Sequence, residues 1–199
     1  MTIQDHDKTH RRWQLVAAVA LSALVAGGGV ALLSSRNAAR HNQGGPQPKT
    51  SIQEIMLTQV DASADKIWGS AGSISDEHGL RDLAPTTDAQ WEALRAATIT
   101  LVEAPNLLVQ EGRPLVRPGV KIQDQGLEGI APPDQIQKAL IDDRPVFLQR
   151  ARRLQTVAED ILVAVDRRDA AALEKKGAEL DEACESCHQR FWYPPKSKR

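Results

Sequence analysis

Aromatic side chains are scarce in this 199-residue chain: four Trp, two Phe and one Tyr, 4% in all. Sheet-rich cores draw on aromatic and β-branched residues. Their shortage, beside abundant alanine and leucine, disfavours a β architecture and favours helices. An excess of charge of one sign is also missing. The 25 Lys and Arg offset 26 Asp and Glu, leaving a net charge of −1. No basic face large enough for a nucleic-acid backbone follows from that balance, so no nucleic-acid partner is expected. Sulfur is rare as well: two cysteines and two methionines, Met1 and Met56. Internal repeats are absent.

The hydrophobic content is concentrated near the N-terminus. Leu15 to Leu33 is a run of 19 residues without a charge. As a helix it spans roughly 28 Å, about one hydrocarbon core. An uncleaved anchor competes with a cleaved secretory signal. Ala18-Val19-Ala20 falls too early in the run to be a cleavage site, although Gly27 to Gly29 leave that reading open; the anchor is preferred. Arg11-Arg12 resembles a twin-arginine signal only loosely, because Trp13-Gln14 spoils the pattern that should follow. Lys8, Arg11 and Arg12 before the run balance Arg36, Arg40 and Lys49 after it, so flanking charge does not set the orientation.

These features divide the chain into a short cytoplasmic tail (1–14), a transmembrane anchor (15–33), a flexible linker (34–49) and a folded domain (50–199). Gly, Pro, Asn and Gln dominate the linker. About 150 residues are enough to bury a real core.

Four helical stretches are expected within the domain. Helix A covers about Ser51 to Ala71, with Ile52, Ile55, Met56, Val60, Ala64, Ile67 and Trp68 at steps of three and four. Helix B opens at the Thr87-Asp88 cap and ends by Gly112, with a kink at Pro105. Gly112 to Ala131 forms a long loop with four glycines and two prolines. Such loops are often functional, but a solvated connector is the preferred reading. Helix C opens at Pro132-Pro133-Asp134 and carries a kink at Pro145. Helix D starts at the Asp169 cap, and its seam reads Leu173, Gly177, Leu180, Cys184, Cys187, Phe191. Amphipathic helices in this number make an all-α four-helix bundle, antiparallel.

Both cysteines fall in one motif on helix D, Cys184-Glu185-Ser186-Cys187-His188. C-x-x-C-H reads as the attachment site of a c-type haem. Two thiols add to the porphyrin vinyl groups, and the following histidine reaches the iron as its proximal ligand. Positions i, i+3 and i+4 project from one helical face. A disulfide-exchange C-x-x-C usually opens a helix in a βαβ setting, whereas this one lies late in a helical pattern. Structural zinc wants four ligands, and His6, His10, His41 and His78 stand at no such spacing. Because haem c is attached outside the bacterial inner membrane, the motif also orients the anchor: single-pass, with the domain in the periplasm.

With four helices and Cys184-x-x-Cys187-His188-x-x-Phe191 on the last, residues 50–195 resemble the class II cytochromes c, the cytochrome c′ and cytochrome c-556 group. The resemblance implies a covalent haem c, one per chain, a periplasmic setting and homodimers through the first two helices of the bundle. It also implies a distal residue on helix A: methionine in low-spin members, a non-ligand such as leucine in high-spin, gas-binding ones. Met56 is the only internal methionine and falls at that place. Its alternative role is a flexible core filler. His78 is a second candidate, more simply read as a loop histidine. The group often has a basic residue after the aromatic; here Trp192 follows Phe191. Arg150, Arg152, Arg153, Arg167 and Arg168 read as solvated faces, though one could pair with a haem propionate. Trp68 and Trp91 read as packing residues.

The function expected is single-electron transfer through a haem held by His188 and Met56, next to membrane or periplasmic redox proteins. No substrate bond changes, so the chain is not expected to be an enzyme. The alternative is a high-spin protein with an open distal site for NO or CO.

Overall fold

The computed structural model describes residues 47–77 and 79–193. The anchor 15–33, most of the linker, His6, His10, His41 and His78 lie outside the described residues. Contacts divide the chain into Met1–Gln47 and Pro48–Arg199, and every described helix and strand belongs to the second unit.

Its first helix is composite: α1 (Ile52–Ile55), a π-helical segment (Met56–Asp61) and α2 (Ala62–Trp68). Ser51 caps it in a capping box with Glu54, each side chain satisfying the other's backbone N–H. The N–H groups of Ile52 and Gln53, which no turn of helix can reach, donate to the carbonyls of Pro114 and Leu115 at 2.9 and 3.0 Å. Gly69 ends the helix, two residues before the expected Ala71.

Next comes a β-hairpin, β1 (Ser73–Asp76) and β2 (Gly79–Asp82), antiparallel with Ser73 opposite Asp82 and Asp76 opposite Gly79. The sequence pattern suggests only a loop here. The strands are four residues long and exposed throughout, so they carry no inside-outside alternation to read. Gly79, at φ +101°, takes a conformation that a side chain would resist.

The helix α3 (Asp88–Leu108) has the Thr87 cap as expected, closed into a capping box by Gln90. It keeps Pro105 in its last turn and stops four residues before Gly112. The expected helix C is two helices, α4 (Pro133–Asp142) and α5 (Arg144–Asp166). Asp143 sits between them at φ −112°, ψ 42°, outside helical space. Proline explains the break: Pro145 cannot donate to the Ile141 carbonyl and its ring crowds it, so Pro145 starts a new helix instead of kinking an old one. Finally α6 (Ala170–Phe191) is capped by Asp169.

Neighbouring helices pack in a ring, α2 on α3, α3 on α5, α5 on α6 and α6 on α2. This is a four-helix bundle, with α4 as a short arm against α5 and α6. Only residues 167–169 join α5 to α6, so these packed helices must run in opposite directions. Ile67, Leu101, Ala158, Ile161, Leu173 and Leu180 are fully buried at the centre. Trp68 fastens the first helix to the last: its indole N–H donates to the Gly177 carbonyl at 3.0 Å.

The stretch 112–131 is not a solvated connector. Leu115, Ile122 and Ala131 are buried, and so is Arg113. Its guanidinium donates to the carbonyls of Leu107 and Thr50, and to the side chains of Thr50 and Gln110. Gln53 exchanges hydrogen bonds with the backbone of Lys121 and Gln123. The loop is thereby tied across the end of the first helix. Among the described residues, no helix is long and apolar enough to cross a membrane.

Candidate functional site

Helix α6 keeps its apolar seam to its last residue, so Cys184 and Cys187 arrive on the bundle's inner side. Both are half-buried, unpaired thiols packed against the core. His188 follows one residue on, with its ring 6.4 Å from that of Trp192, centroid to centroid.

These three side chains line a cavity of about 300 Å³. The first helix contributes Met56, Leu57 and Asp61 to its wall, and α5 contributes Phe147, Arg150, Ala151 and Leu154. The loop adds Leu115, Gln123, Asp124 and Ile130. Phe191 and Phe147 meet edge to face beside it, with ring centroids 5.8 Å apart and planes at 79°. The cavity thus brings together all four residues singled out in the sequence, Met56, Cys184, Cys187 and His188.

Burial sets the electrostatics. It pushes the Cys184 thiol up to about 12, helped by the nearby carboxylates of Asp61 and Asp181. It pushes the Cys187 thiol up to about 11, with the Arg150 cation working against it. Exchange-active cysteines need the opposite shift; burial instead favours the protonated thiols near neutral pH. Burial also holds His188 below the usual histidine range, against the pull of Asp61 and Glu185. A neutral imidazole is the form that ligates a metal. Asp61 itself is raised by burial and eased by His188.

Met56 opens the π-helical segment and Asp61 closes it. Segments of this kind occur mostly as single turns and often at functional sites. The wider turn lets Met56, Leu57 and Asp61 all reach one cavity.

Sequence reasoning misses three parts of this wall. Asp61 looks like one more surface carboxylate beside the apolar stripe. The loop residues show no periodicity. Arg150 stands among five arginines read as solvated faces, one of which could pair with a propionate, and the sequence does not say which; Arg150 is half-buried, and its Nε is enclosed with no hydrogen-bond partner. A signal for it exists: position 150 is i+3 from Phe147 and i−4 from Leu154, on the inward stripe of α5. Arg152, Arg153, Arg167 and Arg168 are exposed as expected.

No family model matches this chain, and no curated protein matches it. Among solved structures it is similar to the crystal structure of cytochrome c′ from Thermochromatium tepidum, with a TM-score of 0.43 and 20% identity over 72% of this chain and 98% of that one. The functional reading therefore rests on this chain's own residues.

Proposed function

We propose that this chain is a membrane-tethered c-type cytochrome that passes single electrons through one haem c. The observation that carries the reading is the meeting of Cys184, Cys187, His188 and Met56 in a single, largely apolar cavity. The donor set fits the group: two thiols and an imidazole at i, i+3 and i+4, a thioether from another helix, and an arginine whose Nε is enclosed without a partner, beside room for an acidic edge. When bound, haem c supplies a one-electron Fe(II)/Fe(III) couple.

The chain's own residues do the rest. Cys184 and Cys187 hold the group covalently, and His188 presents a neutral imidazole. Met56 offers a thioether, which favours ferrous iron and raises the potential. Phe147, Leu154 and Phe191 keep water away and the ligands fixed. None of these residues is asked to make or break a substrate bond, so the proposed role is not enzymatic. In this reading residues 15–33 anchor the chain in a bacterial inner membrane, and the domain lies in the periplasm. Residues 34–49 keep it near membrane redox proteins at high effective concentration. The proposed homodimer would use the first two helices of the bundle, where Ile99 on α3 is exposed.

A specific observation favours one second reading: Leu57, a non-ligand, lines the same cavity beside Met56. If Leu57 takes the distal place, the site is open and binds NO or CO. The deciding experiment is the optical spectrum of the reduced protein with and without carbon monoxide. An unchanged, low-spin spectrum supports the electron carrier. A carbon monoxide adduct formed at once supports gas binding.

A further inference from the structure

We infer that Arg150 takes a carboxylate of the bound porphyrin, an assignment that rests on the haem c reading. Arg150 projects from α5 into the cavity wall, between Phe147, Ala151 and Leu154. Those neighbours offer it no acceptor, and its Nε is shut off from solvent without a partner. A buried donor left unmet is costly, and more so on a charged group.

Several other cations of the described residues have partners. Arg113 has four acceptors, Arg153 pairs with Glu182 and Lys176 with Asp160 and Glu179. Arg190 pairs with Asp143. Arg150 differs in facing a space that protein atoms do not fill. A flat, apolar ligand with an anionic edge matches that space: its body meets Phe147 and Leu154, and its carboxylate meets the guanidinium. The planar fork of arginine suits a carboxylate through two parallel hydrogen bonds, which a lysine ammonium cannot form.

The test uses the full-length protein as Arg150→Gln and Arg150→Lys. Two properties are measured: the midpoint potential, and the redox-difference infrared spectrum with haem propionates labelled in 13C. Removing the cation leaves the carboxylate charge uncompensated near the iron, which favours ferric iron. Arg150→Gln should lower the ferrous-to-ferric ratio at fixed potential about tenfold, ~59 mV for one electron, and shift the labelled carboxylate band. Arg150→Lys should restore most of the potential but not the band.

A potential unchanged in Arg150→Gln, or a labelled band identical to that of the wild type, overturns the assignment. Should Arg150→Gln fail to fold or load, the Arg150→Lys band decides alone, and an unshifted band overturns it. A pyridine haemochrome assay on each sample separates the two levels. Wild type without haem removes both readings, whereas a loaded but unaltered variant removes only the role of Arg150.

Discussion

Phe147 on α5 and Phe191 on α6 meet edge to face, with centroids 5.8 Å apart, directly beside the cavity that holds His188. Both are buried, and each carries an arginine over its ring, Arg144 and Arg190. Phe191 lies three residues after His188, one turn along the same helix. The pair therefore fixes the end of α6 one turn from His188, which in the proposed reading would be an axial ligand. Phe191→Ala should cost about 3–5 kcal/mol through lost burial and a cavity. Phe191→Leu should cost about 1 kcal/mol, as a near volume-conserving change. Urea unfolding followed by helical circular dichroism measures both. Equal, negligible costs would mean that the contact does not hold the helix end.

Cys184, Cys187 and His188 share one face of α6 and one cavity, so attachment should be covalent. Denatured protein on a gel should keep its haem stain. Cys187→Ala should weaken retention, and His188→Ala should impair both maturation and ligation. A stain lost on denaturation of the wild type would exclude thioether attachment.

The thiols give a pH prediction for the haem-free chain. Burial raises Cys184 to about 12 and Cys187 to about 11 from an ordinary value of 9.0. Below pH 9 both thiols are protonated whether the chain is folded or not, and their contribution to stability is fully present. Between pH 9 and 12 the unfolded chain gives up its protons first, so stability falls as pH rises. The denaturation midpoint should be flat near neutrality and drop above pH 9. Alkylation at pH 8 should be slow in the folded chain and fast in urea. Rapid alkylation of the folded chain at pH 7 would instead point to exchange-active thiols.

Much of this site is legible in the sequence because it sits on helices. A 3.6-residue period places Cys184, Cys187 and His188 together, and a stripe on the first helix places Met56 on an inner face. Caps at Thr87 and Asp169 mark helix starts because their side chains accept from backbone N–H groups three residues on. What lacks a period is hidden. The hairpin 73–82 is exposed on both faces, so nothing in its residues alternates. The stretch 112–131 is buried residue by residue, at Arg113, Leu115 and Ile122, through contacts distant in sequence. Pro145 is visible, but whether proline kinks a helix or ends one depends on packing around Asp143. Arg150 is one of five arginines the sequence leaves undivided, and only the cavity beside it separates it from the solvated ones.

The run Leu15–Leu33 predicts an anchor, with a flexible linker after it. Native protein should fractionate with membranes and resist extraction by high salt. A shortened form beginning at Lys49, given a cleavable export signal, should be soluble and still carry haem. A mature N-terminus mapped between residues 20 and 35 would identify a cleaved signal instead.

On the haem c reading, Met56 would decide what the iron can do. It is the only internal methionine, it is half-buried at the start of the π-helical segment, and it lines the cavity with His188. Its thioether is the one sulfur in the wall not already claimed for attachment. With His188 and Met56 as axial ligands the iron should be low-spin, and the ferric form should show the weak near-infrared band of a sulfur ligand. Met56→Ala should open the distal side, turn the iron high-spin and admit carbon monoxide. It should also lower the potential, because the thioether favours ferrous iron. Met56→Leu separates ligation from packing: it keeps nearly the same volume but has no lone pair to offer. If Met56→Leu alters spin state as much as Met56→Ala does, the sulfur is a ligand. If Met56→Leu leaves a low-spin spectrum, Met56 is a core filler and another group holds the iron. Wild-type protein that is already five-coordinate would shift the balance to gas binding, with Leu57 at the distal face.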